Sequence, residues 1–346
     1  MHLQVQAHVD AAEIPEIAPI EVTDSGQVLP MPGQPRRSLI APAWARAVLR
    51  NRKAAAGVAI LLLFAVVAVL APVLAAGDPS DFVARPHLPP SAEHLFGTTG
   101  QGQDVFTQTV WGGRATLSIG ILVGILTTMA GIIVGLSAGY FGGRADDALS
   151  LVTNVFLIIP SLPLLVVLAA FLGSGNALYF VLVLTVTGWA WPARVMRAQT
   201  LSLREKDFVA AAKVAGEGGP RIIFSEILPN MLSIVVASFL GSTIFAIGAL
   251  TALEFLGLGN PSTISWGTNL YWASNNAGLL TGAWWTFVPA GACIALVAFA
   301  LALVNYAIDE FTNPRLRAQR ETSSVLKRLS FGGASSRATP VVRHAG

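Results

Sequence analysis

Residues 115–141 read A-T-L-S-I-G-I-L-V-G-I-L-T-T-M-A-G-I-I-V-G-L-S-A-G-Y-F, 27 residues without a single Asp, Glu, Lys, Arg or His. About 20 apolar residues are enough to cross the hydrocarbon core of a bilayer as a helix. In lipid, only helices and closed barrels satisfy the backbone, and an unbroken apolar run lacks the alternation of a barrel strand. Five more uncharged runs accompany it, at residues 54–76, 148–172, 177–193, 231–253 and 284–308. Composition agrees: 53% of the 346 residues are hydrophobic and 12% are charged, against roughly 25% charged in a soluble domain. The pattern predicts an all-α integral membrane protein with six transmembrane helices. It excludes a soluble globular protein, a disordered chain and a nucleic-acid binder.

The 22 basic residues orient the bundle. Arg36, Arg37, Arg46, Arg50, Arg52 and Lys53 precede the first run. Arg144 lies between the second and third, and Arg194, Arg197, Arg204, Lys206, Lys213 and Arg221 lie between the fourth and fifth. Seven more follow the last run, whereas only Arg85 and Arg114 fall on the other side. Lys and Arg accumulate in cytoplasmic loops, so both termini are expected inside the cell membrane. Residues 1–40, acidic and Lys/Arg-free through residue 35, read as a disordered cytoplasmic extension. Residues 318–346 read as a disordered basic tail. Between these ends, residues 41–317 form the expected membrane domain.

Several features carry packing. Gly120 and Gly124, then Gly131, Gly135 and Gly139, repeat at the small-xxx-small spacing that lets helix backbones approach. Pro160 and Pro163 should kink the third helix. On the outer side, residues 254–283 hold Glu254, Trp266, Tyr271 and Trp272. These aromatics either anchor the membrane interface or meet a partner or substrate.

Enzymatic machinery is missing from the sequence. There is no G-x-x-x-x-G-K-[ST] loop to cradle ATP phosphates and no HExxH. The five histidines show no metal spacing, and the lone Cys293 excludes internal disulfides and CxxC chemistry. The six runs also lack the buried charges on which ion-coupled carriers rely. If the chain moves something uphill, the energy enters through another subunit.

The informative segment is the 37-residue connection 194–230, far longer than the roughly 2–8 residues of a usual bundle connection. Asp207 is expected to cap a short helix through Ala210, Ala211 and Ala212. Gly216 is expected to end it in the left-handed conformation. A second amphipathic stretch, residues 221–228, should stop at Pro229. Together they predict a helix–turn–helix on the cytoplasmic surface that a partner can grip.

Phe208-Val209-Ala210-Ala211-Ala212, then Gly216, then Ile227-Leu228-Pro229 resembles the EAA loop of ABC importer permeases, with Ala210 where that family has Glu. His94-Leu95-Phe96-Gly97-Thr98 through Gly102-Gln103-Asp104-Val105 is similar to a segment of the C-type permeases of dipeptide, oligopeptide and nickel importers. There, Thr99 and Gln103 replace Asp and Arg. Ala138-Gly139-Tyr140-Phe141-Gly142-Gly143, Pro160-Ser161, Phe255-Leu256-Gly257-Leu258-Gly259, Ser265-Trp266-Gly267 and Asn313-Pro314-Arg315-Leu316-Arg317 extend the likeness. The resemblance implies a type I importer permease bundle of the MetI-like kind, N-in and C-in, which is itself no enzyme. It also implies a second homologous permease, cytoplasmic ATPases that bind ATP and Mg, and an extracytoplasmic substrate-binding protein. Small peptides are the implied cargo, with nickel chelates behind. Residues Phe208, Ala210, Ala211, Ala212, Gly216, Ile227, Leu228 and Pro229 are the expected coupling surface, and Trp266, Tyr271, Trp272 and Glu254 the expected outer docking or pathway residues. An ion-coupled carrier or channel and a membrane scaffold are the competing classes. Neither has a use for the Gly-to-Ile-Leu-Pro spacing.

Overall fold

The computed structural model describes residues 51–172 and 177–312. The stretches expected to be disordered and the motif at 313–317 lie outside them. Helix α1 spans Arg52–Val69, capped by the Asn51 side chain, which accepts the Lys53 N–H. The first apolar run thus breaks sooner than expected, at Leu70, and resumes as a single turn, Ala71–Leu74. Pro72 explains the break: it has no N–H to offer the carbonyl of Ala68.

Helix α2, Val105–Phe141, begins ten residues before the apolar run and has 37 residues, about 55 Å at 1.5 Å per residue. Asp104 sets that early start. Its carboxylate accepts the Thr107 N–H and hydroxyl, both at 2.8 Å, and meets His94 Nδ1 at 3.1 Å.

Pro160 and Pro163 produce a corner in place of the expected kink. Helix α3, Gly143–Ile158, and helix α4, Ser161–Leu172, meet at 86°. A residue before proline is pushed out of the helical region, and Ile159 accordingly sits at φ −69°, ψ 126°. Pro163 falls in the first turn of α4, where no helical donor is missed.

Helix α5, Ala177–Gly188, bends by 41° into α6, Ala190–Arg204. The connection expected at 194–230 therefore begins inside a helix, because Trp189 is only a bend and the following sequence keeps helical propensity to Arg204. Then come α7, Asp207–Val214, and α8, a continuous run formed by Gly219–Arg221, the π-helical Ile222–Ile227 and Leu228–Asn230. Helix α9 spans Leu232–Phe255, α10 Trp266–Asn275 and α11 Val288–Thr312. Four of these helices (α1, α2, α9 and α11) are long and apolar enough to cross a membrane. The bent pairs α3–α4 and α5–α6 pass the same test only when each is counted as one span.

Helix α2 is the spine, and its two glycine sets address different neighbours. A Cβ on Gly120 would meet Ile247 Cγ1 at 2.5 Å, and one on Gly124 would strike Thr243, both on α9. A Cβ on Gly131, Gly135 or Gly139 would meet Pro192, Met196 or Thr200 of α6 at 2.6 Å. Close backbone approach maximises dispersion contact where lipid removes the hydrophobic driving force.

Candidate coupling hairpin and far-end assembly

At the C-terminal end of α2, α7 and α8 form a hairpin whose inner side is a small apolar core. Val209, Ile222, Ile223 and Ile227 pack with Leu136 of α2, Met196 of α6 and Met231 at the start of α9, with Ala212, Leu228 and Ile234 alongside. The π-helical turn keeps Ile222, Ile223 and Ile227 on the buried side together. It also carries the chain past Pro229, so α8 does not stop there. The helix runs on to Asn230, whose side-chain amide donates to the Glu226 carbonyl at 2.6 Å.

The turn between the two helices is a Schellman motif. Gly216 has φ +82°, its N–H donates to the Lys213 carbonyl and the Glu217 N–H to the Ala212 carbonyl, each at 3.1 Å. Gly216 thus does what its position in the sequence suggested. Asp207 does not: Lys206 takes the extended N-cap conformation without a side-chain bond, and Asp207 is the first helical residue. There its charge still complements the positive end of the helix dipole.

The expected coupling residues divide between two sides. Ile227 is buried, and Ala212 and Leu228 are half-buried against the hairpin core. Ala210, Ala211, Gly216 and Pro229 are exposed, and Phe208 is at the margin at 36%. Two residues missed in the sequence complete the picture. Val209 is the anchor of α7, and Val214, 89% exposed, shares an outward face with Ala210 and Ala211. Val214, an apolar residue one turn after Ala210 and beyond Lys213, was the available signal.

Polar contacts brace the helices beneath the hairpin and tie α7 to α2. Arg197 of α6 grips Asp146 of α3 bidentately, Nε to Oδ1 at 2.5 Å and Nη2 to Oδ2 at 2.7 Å, and Ser150 adds a bond to Oδ1 at 2.9 Å. Arg204, at the end of α6, donates to the Gly139 carbonyl of α2 at 3.0 Å. Lys213 lies over the Tyr140 ring, with Nζ 5.8 Å from its centroid. Asp146 and Arg197 are 51 positions apart, so only the folded arrangement of α3 beside α6 reveals the pair.

At the opposite end of α2, the expected outer residues are largely internal. Trp266 is 1% exposed, its Nε1 donates to the Thr109 carbonyl at 2.9 Å, and it stands edge-on to Phe64 with centroids 5.7 Å apart. It pins α10 to α1 and α2, so it is not a docking surface; an indole brings much apolar area and one donor, and both are used here. Glu254 is 4% exposed and accepts the Ser265 hydroxyl at 2.7 Å. Ser265 and Thr268 close a capping box at the start of α10. Glu254 thus joins α9 to α10. Tyr271 and Trp272 are half-buried and stacked edge to face, with Trp272 Nε1 bonded to the Pro261 carbonyl at 3.0 Å. The substituted positions of the 94–105 segment find new partners: Thr99 Oγ1 accepts the N–H groups of Gln101 and Gln103, and Gln103 Oε1 accepts from Gln108 at 2.7 Å.

Near the hairpin, a cavity of about 640 Å³ opens where the two bent pairs break, between residues 156–161, 187–195 and the first half of α9. Among the described residues, no charged side chain lines it. Ile234 both lines the cavity and packs against the hairpin core.

Comparison with known proteins places the sequence in a family. Residues 131–318 match the family described as "Binding-protein-dependent transport system inner membrane component". The chain is 35% identical over 292 residues to the dipeptide transport system permease protein DppC of Bacillus subtilis (strain 168), covering 82% of this chain and 88% of that protein. It is 34% identical over 289 residues to the oligopeptide transport system permease protein OppC of Mycobacterium tuberculosis (strain ATCC 25618 / H37Rv), covering 82% and 97%. Among solved structures, the MetNI methionine ABC transporter in inward-facing form matches at 21% identity and a TM-score of 0.46, over 59% of this chain and 97% of that one. With its motifs, its all-helical membrane architecture, the family match and the two permease sequences taken together, the chain belongs to the inner membrane components of binding-protein-dependent transport systems, the permeases of ABC importers.

Proposed function

We propose that this chain is one of two permease subunits of an ATP-driven importer of small peptides. It crosses the cell membrane six times, each bent pair being one span, with both termini in the cytoplasm. The hairpin built by α7 and α8 is the carrying observation: a rigid knob, anchored by a buried core and ended by a fixed turn, that leaves Ala210, Ala211 and Val214 uncovered. Uncovered apolar groups of this kind mark docking surfaces. The partner is a cytoplasmic ATPase that holds ATP and Mg; the chemistry resides there.

When the ATPases close, the hairpin moves as a body. Its core is shared with α2, α6 and the start of α9, so the displacement passes into the bundle without deforming the knob. Arg197 carries it to α3 through Asp146, and Ile234 carries it to the cavity wall. The result is rigid-body alternating access between inward- and outward-facing states. Tyr271, Trp272 and the exposed loop around them serve the extracytoplasmic binding protein, with Trp266 and Glu254 holding that surface in place. Peptide cargo is supported by the names of the relatives, which are dipeptide and oligopeptide permeases.

The test is purification of the tagged chain from detergent with what accompanies it, followed by ATP hydrolysis and peptide uptake in proteoliposomes. A second permease, an ATPase and hydrolysis stimulated by a peptide-loaded binding protein are the expected result. A chain that purifies alone and hydrolyses nothing refutes the proposal.

A further inference from the structure

The cavity beside the helix breaks has a specific polar character. In a helix the carbonyl of residue i is bonded by the N–H of residue i+4. For Phe156 and Gly188 those donors fall at Pro160 and Pro192, which have no N–H. All four residues line the cavity. Two breaks in different spans, each with its own proline, therefore place a carbonyl without its helical donor in one wall. Non-helical backbone at membrane depth is tolerated where it lines a cavity, and interrupted spans commonly mark where cargo binds.

Side chains repeat the theme. Hydroxyls on membrane helices usually bond back to their own helix, as Thr243 does to the Phe239 carbonyl at 2.9 Å. The hydroxyls of Ser238 and Ser242, one turn apart on α9 and both lining the cavity, make no hydrogen bond among the described residues. Asn305 of α11 lines the same cavity, and its Oδ1 is buried without a partner among the described residues. An acceptor buried without a partner is costly, so turning the Asn305 amide toward a ligand that supplies N–H groups is favoured. The cavity volume lies within the roughly 300–1,000 Å³ of small-molecule sites, and among the described residues no charged group lines it to pair with an amino or carboxyl terminus.

Resting on the peptide-importer reading, we propose that this cavity is a binding station for peptide in transit and that it recognises main-chain amides rather than termini or side chains. Carbonyls and Asn305 accept the cargo's N–H groups, while the serine hydroxyls donate to its carbonyls. Such recognition is indifferent to side-chain identity, which suits a pathway that passes many sequences.

Gly241 provides the reporter. It lines the cavity, and a Cβ added there meets nothing within 4 Å. The experiment uses the assembled complex in proteoliposomes, with Gly241→Cys in a Cys293→Ala background and maleimide labelling read on this chain by mass spectrometry. Trialanine is expected to slow labelling several-fold. Trialanine methylated on its amide nitrogens, equal in charge and side chains, is expected to give little protection, and adding Asn305→Leu should weaken protection by trialanine. Labelling that trialanine does not change, in vesicles that still take up trialanine with the binding protein, overturns this inference alone. So does equal protection by the methylated peptide, or a cysteine that never labels because a helix of the second permease fills the space. Vesicles that take up no peptide remove the functional reading, and this inference falls with it.

Discussion

Replacing Gly216 by valine separates the backbone geometry of the hairpin turn from its packing. At φ +82° a residue with a Cβ occupies the left-handed region, but a Cβ at this position has no atom within 4 Å. No clash therefore adds to the conformational strain. That strain is about 1–2 kcal/mol for an ordinary L-residue and reaches roughly 3 kcal/mol where a fold enforces it. A β-branched side chain sits at the upper end. Even 1–2 kcal/mol changes the ratio of closed to opened turn about 5–30-fold. The Val209–Ile222–Ile227 core is untouched, so the complex should still assemble while the turn opens. Hydrogen exchange of the assembled complex reports this directly, because the amides of residues 216 and 217 donate the two Schellman bonds. Their protection should fall by about that factor, and hydrolysis stimulated by the binding protein should fall with it. Gly216→Asn should retain most of both, since Asn tolerates the left-handed region. Native protection and full coupling in the valine variant would refute the reasoning, as would an asparagine variant as impaired as the valine one.

Three further outcomes are expected. Arg197→Lys keeps the charge but loses the two-pronged grip on Asp146, and should lower peptide uptake per ATP hydrolysed; the exchange Asp146→Arg with Arg197→Asp should recover part of it, and no recovery would show that the pair is incidental. Gly135→Leu drives a side chain into the Ala193 carbonyl and Met196 of α6, so the protein should be lost from the membrane fraction on a blot, whereas Gly241→Leu, facing open space, should accumulate normally. Trp266→Ala removes an indole buried between α1, α2 and α10, at a cost of about 3–5 kcal/mol in a packed core; thermal unfolding in detergent should begin at a clearly lower temperature, and an unchanged transition would return Trp266 to the surface.

The six uncharged runs and the Gly-to-Ile-Leu-Pro spacing made the class and the hairpin legible in the sequence, because hydrocarbon thickness and left-handed turns act on contiguous residues. Boundaries were less legible where a cap or proline overrode the run, as Asp104 does by starting α2 early and Pro160 by turning a kink into a corner. The aromatic residues of the 254–283 segment were ambiguous for another reason. Tryptophan suits a membrane interface, a docking surface and a buried pin equally well, and composition does not choose among them; the partners Thr109 and Phe64, more than 140 positions from Trp266, do.

By itself, then, the sequence determined what is set by short-range chemistry: an all-helical membrane chain, two glycine stripes and a turn that only glycine readily adopts. The tertiary structure decided which helices those stripes meet, that Arg197 finds Asp146, that Trp266 and Glu254 face inward, and that two proline breaks in separate spans share one cavity with Asn305. These are pairings between distant segments, and their energies depend on distances that exist only once the helices are packed.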